Sequence, residues 1–233
     1  MKGKLYLLPN LLGDTNPQRV LPDEAIKILH SLDHFIVENI KNARRFIIKC
    51  GYPGKIDDIR FFELNKKTDL REIPSFLDPC MKGLNTGLIS EAGLPGIADP
   101  GAVITSLAHE KRIRVIPFTG PSSVLLSLMA SGLNGQSFTF HGYLPIRGKE
   151  RQQRIRELDK ACITTGYTQI FIETPYRNDK LLEDLKRNCS AKTKLCVACE
   201  LTCENETIIT HTIAEWKKER VSFHKRPCIF LLG

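Results

Sequence analysis

Short apolar runs alternate with amphipathic stretches from one end of the chain to the other. The runs at residues 4–8, 35–37, 86–90, 113–118, 168–172, 195–198, 208–210 and 228–232 are brief and rich in leucine, β-branched or aromatic residues, which predicts strands. Between most of them the spacing turns helical. Pro22-Asp23-Glu24 places a proline in a first turn and acids near the positive end of a helix dipole, and Ile26, Leu29 and Leu32 follow at helical spacing. A second helix is predicted over 40–50, stopped by Gly51 and Pro53, and further helices over 102–111, 122–131, 149–160 and 178–188. Such alternation predicts an α/β fold with substantial parallel sheet. Strand chemistry ends at Thr119-Gly120-Pro121, so the chain is expected to divide into two α/β domains, residues 1–118 and 119–233. Clefts between such halves are common ligand sites.

Composition narrows the class. A chain of 233 residues with 42% hydrophobic content can bury a core without disulfide or metal staples, and a charged fraction of 26% is that of an ordinary globular protein. No apolar run approaches the roughly 18 residues of a membrane span. The basic residues and short apolar stretch of residues 1–10 lack a signal-peptide core and cleavage pattern, so a cytoplasmic protein with no membrane partner is expected. Eight cysteines without an export signal are expected to be reduced thiols acting as small hydrophobes. Cys196, Cys199 and Cys203 lack a fourth ligand at tight spacing, and Val197-Ala198 marks a buried strand there, so no metal is expected. Lysine and arginine number 34 against 26 acids, a net charge of +8, which favours an anionic partner.

The densest chemical signal is the stretch from Ile89 to Gly101, which puts three glycines and two prolines into thirteen residues between a predicted strand and a predicted helix. That composition forces an irregular path and lets backbone approach a ligand closely. Loops at the carboxyl ends of strands are where α/β proteins hold ligands. A second turn, Pro117 to Ser123, sets Gly120-Pro121 before two serines that can cap a helix or donate to a ligand. No Walker A motif, dinucleotide fingerprint or nucleophile elbow is present.

These segments resemble the tetrapyrrole-methylase-like, or class III, S-adenosylmethionine-dependent methyltransferases. Within that family they look most like the bacterial small-subunit ribosomal RNA methyltransferase I group, which methylates a cytidine ribose 2′-oxygen. The group's "SDAGTPGISDPG" is similar to SEAGLPGIADPG at residues 90–101, and its "PGPSA" to residues 119–123. Its "ESPHR" resembles Glu173-Thr174-Pro175-Tyr176-Arg177, its "EDTR" Glu38-Asn39-Ile40-Lys41 and its "RELT" Cys199-Glu200-Leu201-Thr202. Glu91, Leu94, Ala98, Asn39 and Lys41 depart from those patterns. The resemblance implies two α/β domains with the cofactor, S-adenosyl-L-methionine, in the cleft between them, and a homodimer. It implies cofactor contacts from Pro9, from Leu94, Pro95, Gly96 and Ile97, from Ser122 and Ser123, from Ile172 and Glu173, and from Pro227 and Ile229.

The implied reaction is methyl transfer to RNA. The same scaffold also serves tetrapyrroles or other small anions, and a cofactor-binding protein without turnover is a third reading. A ribose hydroxyl is a weak nucleophile at neutral pH, so a base should help. Glu91 is the first candidate and Glu38 the second, each against the alternative of an exposed surface acid. Asp99 reads better as a helix cap, and Glu173 either meets adenosine or braces the Pro175 turn. For RNA, Lys41, Arg147, Lys149, Arg151 and Arg154 are the candidates, with Arg147, Arg151 and Arg154 expected near one helix face. A solvated helix face is the alternative there.

Overall fold

Strands buried on both faces read as continuous apolar runs, and the first half of the chain is built from such strands. The computed structural model describes residues 1–233, which form two compact units, Met1–Ser122 and Ser123–Gly233. In the first unit the elements run β1 (Lys4–Leu8), α1 (Pro17–Val20), α2 (Asp23–His30), β2 (His34–Val37), α3 (Ile40–Lys49), β3 (Arg60–Glu63), α4 (Asp78–Met81), β4 (Thr86–Ile89), α5 (Gly101–Glu110) and β5 (Arg114–Pro117). The five strands form one sheet in the order β3-β2-β4-β1-β5, every pair parallel.

The period of two sorts the strand residues between two cores. Tyr6, Leu8, Phe35, Val37 and Ile89 pack on one face with α2 and α3, and Leu5, Ile36 and Leu88 pack on the other with Ile104 and Ala108 of α5. Gly87 sits between them because a Cβ there would meet the Phe35 ring at 2.9 Å.

The second unit runs α6 (Ser123–Ser131), β6 (Phe138–Tyr143), α7 (Gly148–Thr165), β7 (Thr168–Ile172), α8 (Asn178–Asn188), β8 (Lys194–Cys199), β9 (Thr207–Thr212), α9 (Ile213–Trp216) and β10 (Cys228–Leu232). Its sheet has the order β6-β7-β10-β8-β9. Only β6 and β7 are parallel; β10 is antiparallel to both neighbours, and β8 and β9 are antiparallel to each other. The parallel character read from the alternation therefore holds throughout the first sheet and for one pair of the second. β10 is buried at all five positions, which accounts for its uninterrupted apolar run. Trp216 is fully buried, and its indole N–H donates to the Leu195 carbonyl at 2.8 Å.

Two strands were not anticipated. β3 reads Arg-Phe-Phe-Glu and lies at a sheet edge, where partial burial weakens the apolar signal. β6 is likewise an edge strand, with no residue classed as buried. The helix expected over 149–160 runs on to Thr165 and stops at Gly166, whose φ of 70° suits the left-handed cap. No disulfide joins any of the eight cysteines, and all but Cys203 are buried.

Candidate active site

The carboxyl ends of β1, β2 and β4 bring three segments together in the first unit. β4 and β1 are neighbours whose onward connections leave in opposite directions, to β5 and to β2. Such a switch point opens a crevice between the loops that follow the two strands. The loop after β1 is tied to the loop after β4 by a bridge, with Asn10 N–H donating to Gly93 O at 2.8 Å and Gly93 N–H to Asn10 O at 3.2 Å. The buried Asn10 amide adds donations to the carbonyls of Ser90 at 2.7 Å and Glu91 at 3.2 Å.

Asp99 braces the loop from within. Its carboxylate accepts from Gly96 N–H at 2.9 Å and from Gly101 N–H at 2.7 Å. Burial raises its pKa, and the two amide donors pull it back down. Asp99 thus receives the first N–H of α5 from one position before the N-cap, which is Pro100, and is not itself the cap. Gly93 and Gly96 have φ of 71° and 86°, which side chains with a Cβ rarely adopt. Ala98 accepts a φ of 63°, a strained setting held by the surrounding loop.

The two candidate bases meet here although 53 residues separate them. Glu38 follows β2 and is half-buried; its Oε1 accepts from the backbone N–H of Glu91 at 3.0 Å. Glu91 is exposed, and its Oε2 accepts from the Asn42 side-chain amide at 2.6 Å. Asn42 lies one turn into α3, which Asn39 caps by accepting from Asn42 N–H at 3.0 Å. Burial raises the Glu38 pKa; the Glu91 N–H lowers it, and the charges of Asp99 and Glu91 raise it further. A carboxylate so placed is a stronger proton acceptor than a free one.

The residues matched to cofactor contacts fall into two sets. In the first unit Pro9 and Pro95 are buried, Leu94 and Gly96 are partly buried, and Ile97 is exposed. Gly120 fits between Pro9 and Leu94, because a Cβ on it would stand 2.2 Å from the Pro9 Cβ and 3.5 Å from Leu94 Cδ2. A Cβ on Gly96 would meet nothing within 4 Å, so the loop carries open space above a bare backbone. Ser122 is buried at the end of this unit, and Ser123 opens α6 in the other. In the second unit Ile172 pairs with Ile229 across β7 and β10, and Pro227 lies exposed just before β10. The Glu173 side chain is fully buried, accepting from Thr174 N–H at 2.6 Å and from Arg177 at 2.6 Å. Through Oε1 it braces the Pro175 turn, while its buried Oε2 has no hydrogen-bond partner.

One expected RNA contact is overturned. Arg151 is 1% exposed and is spent on Asp184, with Nε donating to Oδ2 at 2.7 Å. Residues 151, 155, 158 and 162 share the core face of α7, and Asp184 on α8 supplies the countercharge. Arg147 and Lys149 are exposed at the start of α7, and Lys41 is exposed on α3. Arg154 is partly buried, donating to Glu157 at 3.2 Å and meeting the His141 ring nitrogen at 3.1 Å. Neither Asn10 nor Asn42 is among the expected site residues, because only their neighbours in space give them a role.

No protein-family model matches the chain. It is similar to the Ribosomal RNA small subunit methyltransferase I of Vibrio cholerae, 29% identical over 91% of this chain and 69% of that protein. It is likewise similar to the protein of that name from Halalkalibacterium halodurans, 29% identical over 94% of this chain and 72% of that one. The protein of that name from Escherichia coli O157:H7 is 27% identical over 99% of this chain and 78% of that one. Among solved structures, the fold is similar to that of the methyltransferase CobJ, with TM-score 0.65 and 13% identity over 99% of this chain and 94% of that one. It is similar also to that of the cobalamin biosynthetic enzyme cobalt precorrin-4 methyltransferase, CbiF, with TM-score 0.63 and 14% identity over 99% of this chain and 94% of that one. The open, glycine-lined backbone around Gly96 fits a cofactor bound largely by main chain. The chain therefore has the two-unit α/β fold of these methyltransferases, and along nearly its whole length it is similar to proteins named ribosomal RNA small subunit methyltransferase I.

Proposed function

We propose that the chain methylates a ribose 2′-oxygen of small-subunit ribosomal RNA, as a cytoplasmic homodimer. The observation that carries the acceptor is the likeness to proteins named for ribosomal RNA methylation, which spans 91–99% of the chain in the three relatives above. No helix is long and apolar enough to cross a membrane.

When bound, S-adenosylmethionine supplies a methyl group activated on a sulfonium. Pro9 and Leu94 to Ile97 would hold it in the first unit, with Ser122 at that unit's end. Ser123, Ile172, Glu173, Pro227 and Ile229 are the second unit's own candidates for cofactor contact, with Glu173 also keeping the Pro175 turn in shape. Glu38 takes the proton from the ribose hydroxyl at its carboxylate, and Glu91, steadied by Asn42, orients the hydroxyl. Burial raises the Glu38 pKa, which makes its carboxylate a stronger proton acceptor than a free one.

The test is transfer of labelled methyl from S-adenosylmethionine into ribosomal subunits, free RNA and small-molecule extract from cells lacking the protein. Label is expected in the small-subunit RNA, on a ribose. Label confined to the small-molecule fraction would reject the RNA acceptor. The exposed cations at the start of α7 give a second prediction. Arg147→Ala combined with Lys149→Ala should weaken RNA binding at every sequence tested and flatten its salt dependence by about two log units per log unit of salt. An unchanged salt slope would remove α7 from the RNA surface.

A further inference from the structure

Beside the Glu38–Glu91 pair lies a hollow of about 520 Å³ formed by the loop after β1, one face of α3 and the start of the loop after β4. Asn42, Arg45 and Lys49 reach it from α3, at spacings of three and four residues that set them on one face of the helix. Glu91 closes one end. The Asn42 side chain already touches Glu91, so the helix face leads from a carboxylate, through an amide, to two cations over about 10 Å.

The neighbouring cations on α3 are disposed differently. Arg44 is spent on Asp57 at 3.1 Å and lies over the Phe61 ring at 5.7 Å, and Lys41 does not line the hollow. Arg45 is exposed and makes no hydrogen bond or ion pair with the protein. Lys49 pairs with Asp14, whose side chain is 98% exposed. An ion pair so open to water is weak, because solvent screens both charges, so an incoming anion can displace Asp14 at little cost. Phosphate oxygens accept strong charge-assisted hydrogen bonds from both cations.

We infer that this hollow is the subsite for the acceptor ribonucleotide, with Arg45 and Lys49 binding the phosphodiester next to the ribose presented to Glu91 and Glu38. The assignment rests on the RNA reading above. It places the reacting ribose by its backbone phosphate, so it adds orientation and no base specificity.

The test uses the full chain and radiolabelled small-subunit ribosomal RNA held on filters across a salt series, with S-adenosylhomocysteine titrated by calorimetry alongside. Arg45→Ala and Lys49→Ala should each weaken RNA binding about three- to tenfold and reduce the slope of log affinity against log salt by about 0.7–1. Arg45→Lys should recover part of the loss, and S-adenosylhomocysteine affinity should stay constant in every variant. Both residues are on the surface, and an unchanged melting temperature confirms that each variant is folded. If the unaltered protein binds the RNA and the double alanine variant binds it equally at every salt concentration, the subsite is wrong while the RNA reading stands. If the unaltered protein binds S-adenosylhomocysteine but no RNA, both are wrong. Equal loss on Asp14→Ala, which frees Lys49, would also overturn the assignment, since phosphate affinity should then rise.

Discussion

Arg151→Ala is expected to destabilise the second unit by about 3–5 kcal/mol, lowering its melting temperature by roughly 10–25 °C. Arg151 and Asp184 are buried against each other between α7 and α8, with side chains 1% and 10% exposed. Two guanidinium nitrogens donate to one carboxylate oxygen, Nε at 2.7 Å and Nη2 closer still. Removing the arginine leaves the Asp184 carboxylate in a site that water reaches poorly, and that uncompensated charge costs more than the pair contributes. The same logic makes the double replacement Arg151→Met with Asp184→Leu far milder than either single alanine change, because no charge is stranded. Thermal melting of the three variants checks this. A melting temperature for Arg151→Ala within 2 °C of the unaltered protein would mean that the pair is not buried in solution.

Glu38→Gln is expected to lower kcat/KM by about 10²–10⁴ while leaving the protein as stable as before or slightly more so. Glutamine keeps an oxygen that can accept the Glu91 N–H and loses the proton acceptor. The stability side follows from the raised pKa. Between the ordinary carboxylate value of 4.5 and its higher folded value, Glu38 binds more protons in the folded than in the unfolded protein. Stability therefore falls as pH rises through that window, and the loss persists above it. Glu38→Gln escapes the penalty, so its melting temperature should equal or exceed that of the unaltered protein at pH 7–8, with the difference vanishing near pH 4. Activity has the opposite dependence: kcat/KM of the unaltered protein should rise with pH as Glu38 ionises, and that acid limb should disappear in the variant. Retention of more than about a tenth of kcat/KM would shift proton acceptance away from Glu38. A comparable loss in Glu91→Gln alone would move it to Glu91.

The loop from Ile89 to Gly101 was legible because its chemistry is local. Glycines at positive φ and a proline before a helix constrain the backbone wherever they occur, and an aspartate two residues before Gly101 can only reach its own loop. β10 was legible for a similar reason, since five consecutive apolar residues suit a strand buried on both faces, and β7 by its Ile170-Phe171-Ile172 run. The edge strands β3 and β6 were not, because half their side chains or more face water and the alternation is blurred. Arg151 groups by charge with Arg147 and Arg154, but it stands four residues before Ile155 and seven before Leu158. Its spacing to Ile155, Leu158 and Cys162 already marked the core face, but only Asp184, from another helix, makes an arginine tolerable there.

By itself the sequence determined where most strands, the main helices and the glycine-proline loop lie, and the family that those motifs resemble. Backbone preference and hydrophobic period act within a few residues, so they can be read in order along the chain. Only the tertiary structure decided which charges serve the site. It joined Glu38 to Glu91, set Asn42 beside them, left Arg45 open and withdrew Arg151 into the core. A side chain's charge says what it can do, but its desolvation and its partner decide what it does, and both come from elements far away in sequence.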